Sequence, residues 1–210
     1  EHNPTMPTSG NIDGNVAINT INGFWDEHNV DGTSWPGPKW ISEHKEAFPK
    51  QPLFWTEDQA WFQQWGGGTL VRDVTQIGNG ILRWYALGGT YHNFYMMFGG
   101  NNYARNAGKN VITAYANDAP INSYGMPNNP KYNQLKDMFG VLQTYSQCIV
   151  SQQPPTPIIV QTNVQAIIYK NNSASITFLS NIGPVLIMRV TYNNKAYNLA
   201  ANSTLLLDKN

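Results

Sequence analysis

The sequence predicts an α/β region with a parallel, helix-covered sheet, followed by an antiparallel all-β module. Three observations predict it. Up to about residue 150, short and almost continuously apolar strand candidates alternate with amphipathic helical patterns, as expected of strands buried on both faces. Ser151-Gln152-Gln153-Pro154-Pro155-Thr156-Pro157 then places three prolines in seven residues, which makes a stiff linker. Beyond it, short β-branched runs separated by Asn-rich turns read as antiparallel strands. The predicted parts are therefore 1–150, 151–157 and 158–210.

Taken in order, residues 1–14 read as loop, with Pro4, Pro7 and Gly10 and no hydrophobic period. Val16-Ala17-Ile18-Asn19-Thr20-Ile21 reads as a short buried strand ended by the turn signal Asn22-Gly23. A loop broken by Pro and Gly leads to a helical patch carrying Trp40, Ile41, His44, Ala47 and Phe48. Pro52–Thr56 is a second buried strand, with Glu57 at its carboxyl end. Across Asp73–Leu87, the apolar residues Val74, Ile77, Ile81, Leu82 and Tyr85 have helical spacing, and Gly88-Gly89 stops the pattern. Tyr91–Phe98 is a third strand, closed by Gly99-Gly100, and Lys131–Ile149 is a helix with Leu135, Met138, Phe139 and Leu142 on one face. In the last part, strands are predicted over Ala166–Lys170, Ala174–Ser180, Val185–Tyr192 and Ser203–Leu207.

Composition excludes several classes of function. Thirteen Lys and Arg balance thirteen Asp and Glu, and only 12% of residues are charged, so there is no electrostatic footprint for nucleic acid or an anionic membrane. No apolar run reaches the ~20 residues that span a bilayer; the best, Ile176–Val190, is interrupted by Asn181, Gly183, Pro184 and Arg189. A single cysteine, Cys148, excludes an internal disulfide framework and a Cys-rich zinc site, and reads as a buried thiol with no base beside it. His2, His28, His44 and His92 show no metal-ligand spacing, and Gly66-Gly67-Gly68 and Gly78-Asn79-Gly80 lack the Lys-Ser/Thr of a phosphate loop. The chain has neither an initiator Met nor a signal-peptide pattern and reads as a piece of something longer. Its 26 asparagines, with Trp and Tyr, suit hydroxyl-rich ligands, although a compositional habit of the source explains them as well. Asn171-Asn172-Ser173 and Asn202-Ser203-Thr204 are glycosylation sequons.

The chemistry narrows to one carboxylate. Residues 138–207 contain no Asp or Glu, so paired-carboxyl catalysis cannot come from the last part. Of the five glutamates, Glu43 and Glu46 lie in a charged helical patch that reads as a solvated face. Glu57 follows a buried strand and is flanked by Trp55, Trp61, Phe62 and Trp65. A carboxylate between aromatic walls at a strand's carboxyl end suits sugar chemistry, where rings stack on a hexose and the anion meets the anomeric carbon. The alternative is a strand-end glutamate that caps the next helix.

These residues carry a resemblance. Gln51-Pro-Leu-Phe-Trp-Thr-Glu57-Asp-Gln-Ala-Trp61-Phe-Gln-Gln-Trp65-Gly-Gly67 resembles the nucleophile segment of the glycoside hydrolase family 35 β-galactosidases. In register with it, Gly88–Tyr103 resembles the family's strand-eight segment. Tyr115-Ala-Asn-Asp118-Ala119-Pro120, with Pro130-Lys131-Tyr132, resembles its Asp-Ala-Pro loop and final helix. Ile18–Phe24 is similar to strand six of plant-type members, and Val164–Lys170 and Lys195–Leu199 are similar to the β domain after the barrel.

The resemblance implies the C-terminal part, about strands six to eight, of a (β/α)8 barrel followed by the start of a β-sandwich-like domain. It implies a retaining β-galactosidase acting on terminal non-reducing β-D-galactose, with Glu57 as nucleophile and with Tyr95, Tyr115 and Trp61 as substrate contacts. Neither cofactor nor metal is implied. The family's acid/base glutamate lies in an Asn-Glu motif upstream, and no Asn-Glu dipeptide occurs here, so these residues alone are expected to be inactive. Ala116 and Asn117 stand where the family has Asp and Tyr, which leaves a carbohydrate-binding or inactive barrel, or a related β-glycosidase of another specificity, as the rival readings. The family's compartments (secreted, cell wall, vacuolar or lysosomal) are the expected location.

Overall fold

The computed structural model describes residues 17–23, 36–58, 71–107, 113–183 and 187–208. Strand and helix alternate first, as β1 (Ile21–Gly23), α1 (Pro36–Ala47), β2 (Leu53–Asp58), α2 (Val74–Ala86) and β3 (Gly89–Phe94). The strands form one parallel sheet in the order β1-β2-β3, with a helix in each crossover. Ile21, Leu53 and Trp55 bury against Ile41 of α1 and Trp84 of α2. Trp55 and Trp84 lie 5.6 Å apart. Asp73 caps α2, its Oδ1 accepting the Thr75 N–H at 2.8 Å.

Boundaries of the first and third strands differ from the sequence reading, and β2 runs on to Asp58 rather than stopping at Thr56. Of the described residues of the first predicted strand, only Ile21 joins the ladder, which runs on through Asn22-Gly23 instead of turning there. Residues 17–20 are held by the Gln51 side chain: Nε2 donates to the Ala17 carbonyl at 2.9 Å, and Oε1 accepts the Asn19 N–H at 2.7 Å. β3 begins at Gly89, which pairs with Leu53 of β2 and lies under the Trp84 indole, where a Cβ would collide with the ring. It ends at Phe94, since the next N–H, that of Tyr95, donates to the Asp58 carbonyl at 2.7 Å and the chain turns away.

After α3 (Lys131–Val150) come β4 (Ile158–Gln161), β5 (Val164–Lys170), β6 (Ser175–Asn181), β7 (Ile187–Tyr192), β8 (Lys195–Ala200) and β9 (Ser203–Asp208). They form an antiparallel sheet β4-β5-β6-β9 and the hairpin β7-β8. The sequence reading missed β4 and β8. β8 is polar in sequence, and it is specified by its turn: Asn193 and Asn194 both have positive φ (49° and 60°), the two-residue turn that matches strand twist. Asn163 and Asn202 also have positive φ, so part of the asparagine excess is turn chemistry.

The sheet of β5 and β6 is buried on both faces. Ile167, Tyr169, Ile176 and Phe178 join Ile77, Ile81, Leu135 and Leu142 of α2 and α3 in one core. Val164, Ala166 and Leu179 face the other way, toward Val190 and Leu199 of the hairpin. Tyr169 donates its hydroxyl to the Ala86 carbonyl at 3.1 Å, closing the last turn of α2. Among the described residues no helix is long and apolar enough to cross a membrane.

Candidate active site

The site is built on an irregularity of β2. Leu53 and Trp55 face the helix layer, and strict alternation would send Glu57 into that same layer. The pairing prevents it. On one side Ile21 pairs with Trp55 and Asn22 with Glu57; on the other, Trp55 pairs with His92 and Asp58 with Phe94. β2 therefore carries one extra residue in both ladders, a bulge at Thr56-Glu57, and a bulge re-aims side chains. Asp58, not Glu57, joins the Trp55 face. Its Oδ2 lies 2.7 Å from Nε2 of His92, whose ring stands edge-on to Trp55 and Phe94 at 5.0 and 4.5 Å. His92 is thus a packing residue, in keeping with the absence of metal-ligand spacing around it.

Side chains from the neighbouring strands hold the bulge. The Trp55 indole N–H is shared between the Gly23 carbonyl (3.1 Å) and that of Glu57 (3.2 Å). Asn93 Nδ2 donates to the Thr56 carbonyl at 3.1 Å. Gly23 has φ +152°, and a Cβ there would meet the Trp40 ring at 2.7 Å, so no larger residue fits at the end of β1.

Glu57 is half-buried, and its Oε2 accepts a hydrogen bond from Asn22 Nδ2 at 3.1 Å. Tyr95 stands just past β3 rather than on it, and its hydroxyl lies 2.7 Å from that of Tyr115. Burial pushes the Tyr115 phenol up to about 12; its hydrogen bond to Tyr95 and the charges of Tyr95 and Glu57 add to the rise. Tyr115 thus remains a neutral phenol within the electrostatic reach of Glu57. The structure brings Glu57, Tyr95 and Tyr115 together; Trp61 lies outside the described residues. A carboxylate with an amide and two phenols can bind sugar hydroxyls and attack an anomeric carbon.

The loop bearing Tyr115 is anchored by a buried ion pair. Asp118 Oδ2 accepts from Lys131 Nζ and, at 2.6 Å, from the Arg72 N–H; Lys131 Nζ also reaches the Asp118 carbonyl at 3.1 Å. A cation at a helix N-terminus opposes the macrodipole, so Asp118 is what holds Lys131 at the start of α3. Ala116 is buried against Gly99, where a Cβ would lie 2.3 Å from that of Ala116. Asn117 is half-buried on the same loop.

The other candidates have structural roles. Glu43 pairs with Lys39 at 3.5 Å, and Glu46 is exposed. Cys148 is buried, its Sγ 3.5 Å from the Ala174 carbonyl. Gly78-Asn79-Gly80 lies within α2, where Asn79 Oδ1 accepts the Thr204 hydroxyl at 2.6 Å. Among the described residues no group of His, Cys, Asp and Glu could hold a metal ion. The sequence reading gives Asn22, Thr56 and Asn93 no role at the site; Asn22-Gly23 reads there as a turn signal and as part of the segment similar to strand six.

A sequence profile of the glycosyl hydrolases family 35 matches residues 2–142. The chain belongs to that family. Two family-named relatives match nearly all of it. "Probable beta-galactosidase 2" of Dictyostelium discoideum is 33% identical over 198 residues, 92% of this chain and 24% of the relative. "Beta-galactosidase 8" of Arabidopsis thaliana is 32% identical over 193 residues, 90% of this chain and 21% of the relative. The chain thus spans less than a quarter of the length of these curated relatives. Among solved structures, a ligand-free cyclic alpha-maltosyl-(1-->6)-maltose hydrolase from Arthrobacter globiformis overlaps 82% of this chain and 39% of its own, at 12% identity and a TM-score of 0.44. That overlap is too loose to carry an argument. Within family 35, the profile covers Glu57, Tyr95, Tyr115 and the Asp118–Lys131 pair.

Proposed function

We propose that this chain is the nucleophile-bearing segment of a retaining β-galactosidase, with Glu57 as the nucleophile and Tyr95 and Tyr115 as galactose contacts. The observation that carries the reading is the bulge, which turns one carboxylate of a family 35 chain out of the core and toward the tyrosine pair. Trp61 belongs to the same reading as a wall of the sugar site. The parallel sheet and its helices (residues 1–150) are then the C-terminal part of a (β/α)8 barrel. Residues 151–157 are the connection, and 158–210 begin a β-sandwich-like domain. Barrels of this kind take ~250 residues and place their sites at the carboxyl ends of strands, which is where Glu57 stands.

In the mechanism, one Glu57 oxygen attacks the anomeric carbon as the bond to the leaving oxygen breaks. The leaving oxygen takes a proton from a second carboxyl ~5–5.5 Å from the nucleophile. Water then attacks the same carbon, gives its proton to that second carboxylate, and releases Glu57 and galactose. The acid/base belongs to a part of the protein outside these residues. A secreted, cell-wall, vacuolar or lysosomal site of action goes with this reading.

The test is to label the full-length protein that carries this chain with an activated 2-fluoro-galactoside and map the modified peptide. Label on Glu57 supports the reading; turnover with label elsewhere defeats it. Faster hydrolysis of nitrophenyl β-galactoside than of its glucoside and glucosaminide analogues supports the sugar assignment.

A further inference from the structure

Glu57 is met from β1 by Asn22, whose amide has a second partner at its other end. Thr56 Oγ1 donates to Asn22 Oδ1 at 2.8 Å, and the Thr20 hydroxyl stands 2.8 Å from the same Thr56 oxygen. A threonine hydroxyl has one proton, and an amide oxygen has none to give. Thr56 is placed as donor toward both oxygens, and the proton it gives to Asn22 Oδ1 fixes that end of the amide. An ionised carboxylate only accepts, so Nδ2 is the end of the amide that must face Glu57. Thr56, Asn22 and Glu57 are thus linked donor to acceptor. The linkage depends on the bulge: in a regular strand Thr56 and Glu57 would point to opposite faces, and no single amide could reach both.

We propose that Asn22 is a positioning residue for the nucleophile, and that Thr56 sets which end of its amide faces the carboxylate. This rests on the reading of Glu57 as nucleophile. Asn22 fixes the carboxylate through Oε2. During the second step the sugar–oxygen bond breaks and negative charge returns to the carboxylate. The Asn22 donor is then already in place to receive it.

The test uses the full-length enzyme. Asn22→Ala is expected to lower kcat ~10–100-fold, the cost of a nucleophile that is no longer aimed, with a smaller change in KM. Asn22→Asp keeps the shape and the bond from Thr56 but sets a second carboxyl against Glu57. At neutral pH it is expected to lose more than Asn22→Ala. It is then expected to recover toward acid pH, as the two carboxyls come to share one proton. A merely structural asparagine would not produce that shifted profile. Thr56→Val is expected to lower kcat, and Thr56→Ser, which keeps the hydroxyl, to restore most of the loss. Thermal unfolding of each variant checks that the fold is retained. Parent-like turnover by folded Asn22→Ala and Thr56→Val, or identical pH profiles for the Ala and Asp variants, would overturn the proposal. Fluoro-sugar labelling of the parent separates the two levels. Label on Glu57 with insensitive variants sinks only the positioning role, whereas label elsewhere sinks the nucleophile and the positioning role together.

Discussion

At the scale of single residues, Glu57 meets an amide and lies near two phenols, whereas four other described carboxylates have structural partners. Asp58 is occupied by His92, Asp73 caps a helix, Asp118 is paired with Lys131, and Glu43 meets Lys39. On the proposed reading, Glu57→Gln keeps the shape and removes the nucleophile, so turnover by the full-length protein should fall by several orders of magnitude while the fold survives. Tyr115→Phe deletes one hydrogen bond to Tyr95 and one hydroxyl from the site. On the same reading a loss of roughly fivefold in kcat/KM for a galactoside is expected, on the ~1 kcal/mol scale of such a bond. His44 gives a prediction about stability. Burial holds its pKa below the ordinary 6.5; a contact with the Pro52 backbone opposes this in part, and the nearby Lys45 charge adds a smaller lowering. The unfolded chain therefore takes up a proton that the folded chain resists, and stability falls as pH drops below about 6.5. Urea unfolding of His44→Leu across pH 7 to 5 should show a shallower acid decline than the parent.

At the scale of elements, two features decide where the site stands. One is the bulge in β2; the other is the ion pair that ties the loop of Tyr115 to the start of α3. Asp118 and Lys131 are both more than nine-tenths buried. Removing one partner strands the other charge, so Asp118→Ala is expected to cost about 3–5 kcal/mol in denaturant unfolding. The double change Asp118→Leu with Lys131→Met leaves no orphan charge and should cost less than the sum of the two single changes. Additive losses would mean that the two residues do not act as a pair. Gly99 sets a second constraint on the same loop, since any side chain there collides with Ala116.

At the scale of the whole molecule, the helical part and the antiparallel sheet share a core. Ile167, Tyr169, Ile176 and Phe178 pack against α2 and α3, and Thr204 reaches across to Asn79. Truncating Phe178 to Ala is expected to cost about 3–5 kcal/mol. It should also lower hydrogen-exchange protection in α2 and α3, which lie before the prolines in sequence. If protection falls only within β5 and β6, the shared core is not one cooperative unit. A chain ended after residue 157 loses the cover over Ile81 and Leu142 and should unfold without a sharp transition.

Sequence by itself determined the order and type of the long elements, because period and punctuation are local. The spacing of Ile77, Ile81 and Leu82 specifies α2, and the apolar run Ala166–Tyr169 specifies a strand covered on both faces. It also singled out Glu57 by its place after a buried strand among aromatic residues, and Tyr95 and Tyr115 through their resemblance to family 35 segments. What only the tertiary structure decided was direction. A period-2 reading sends Glu57 toward Trp55; the extra residue in β2 is visible only against the ladders of β1 and β3, and it is this residue that turns the carboxylate toward Asn22. The same holds for Asp118 and Lys131, thirteen residues apart in sequence and joined in one buried pair. Pairing partners lie on other strands and loops, so the side a residue faces is a property of its neighbours in space, and no window along the chain contains them.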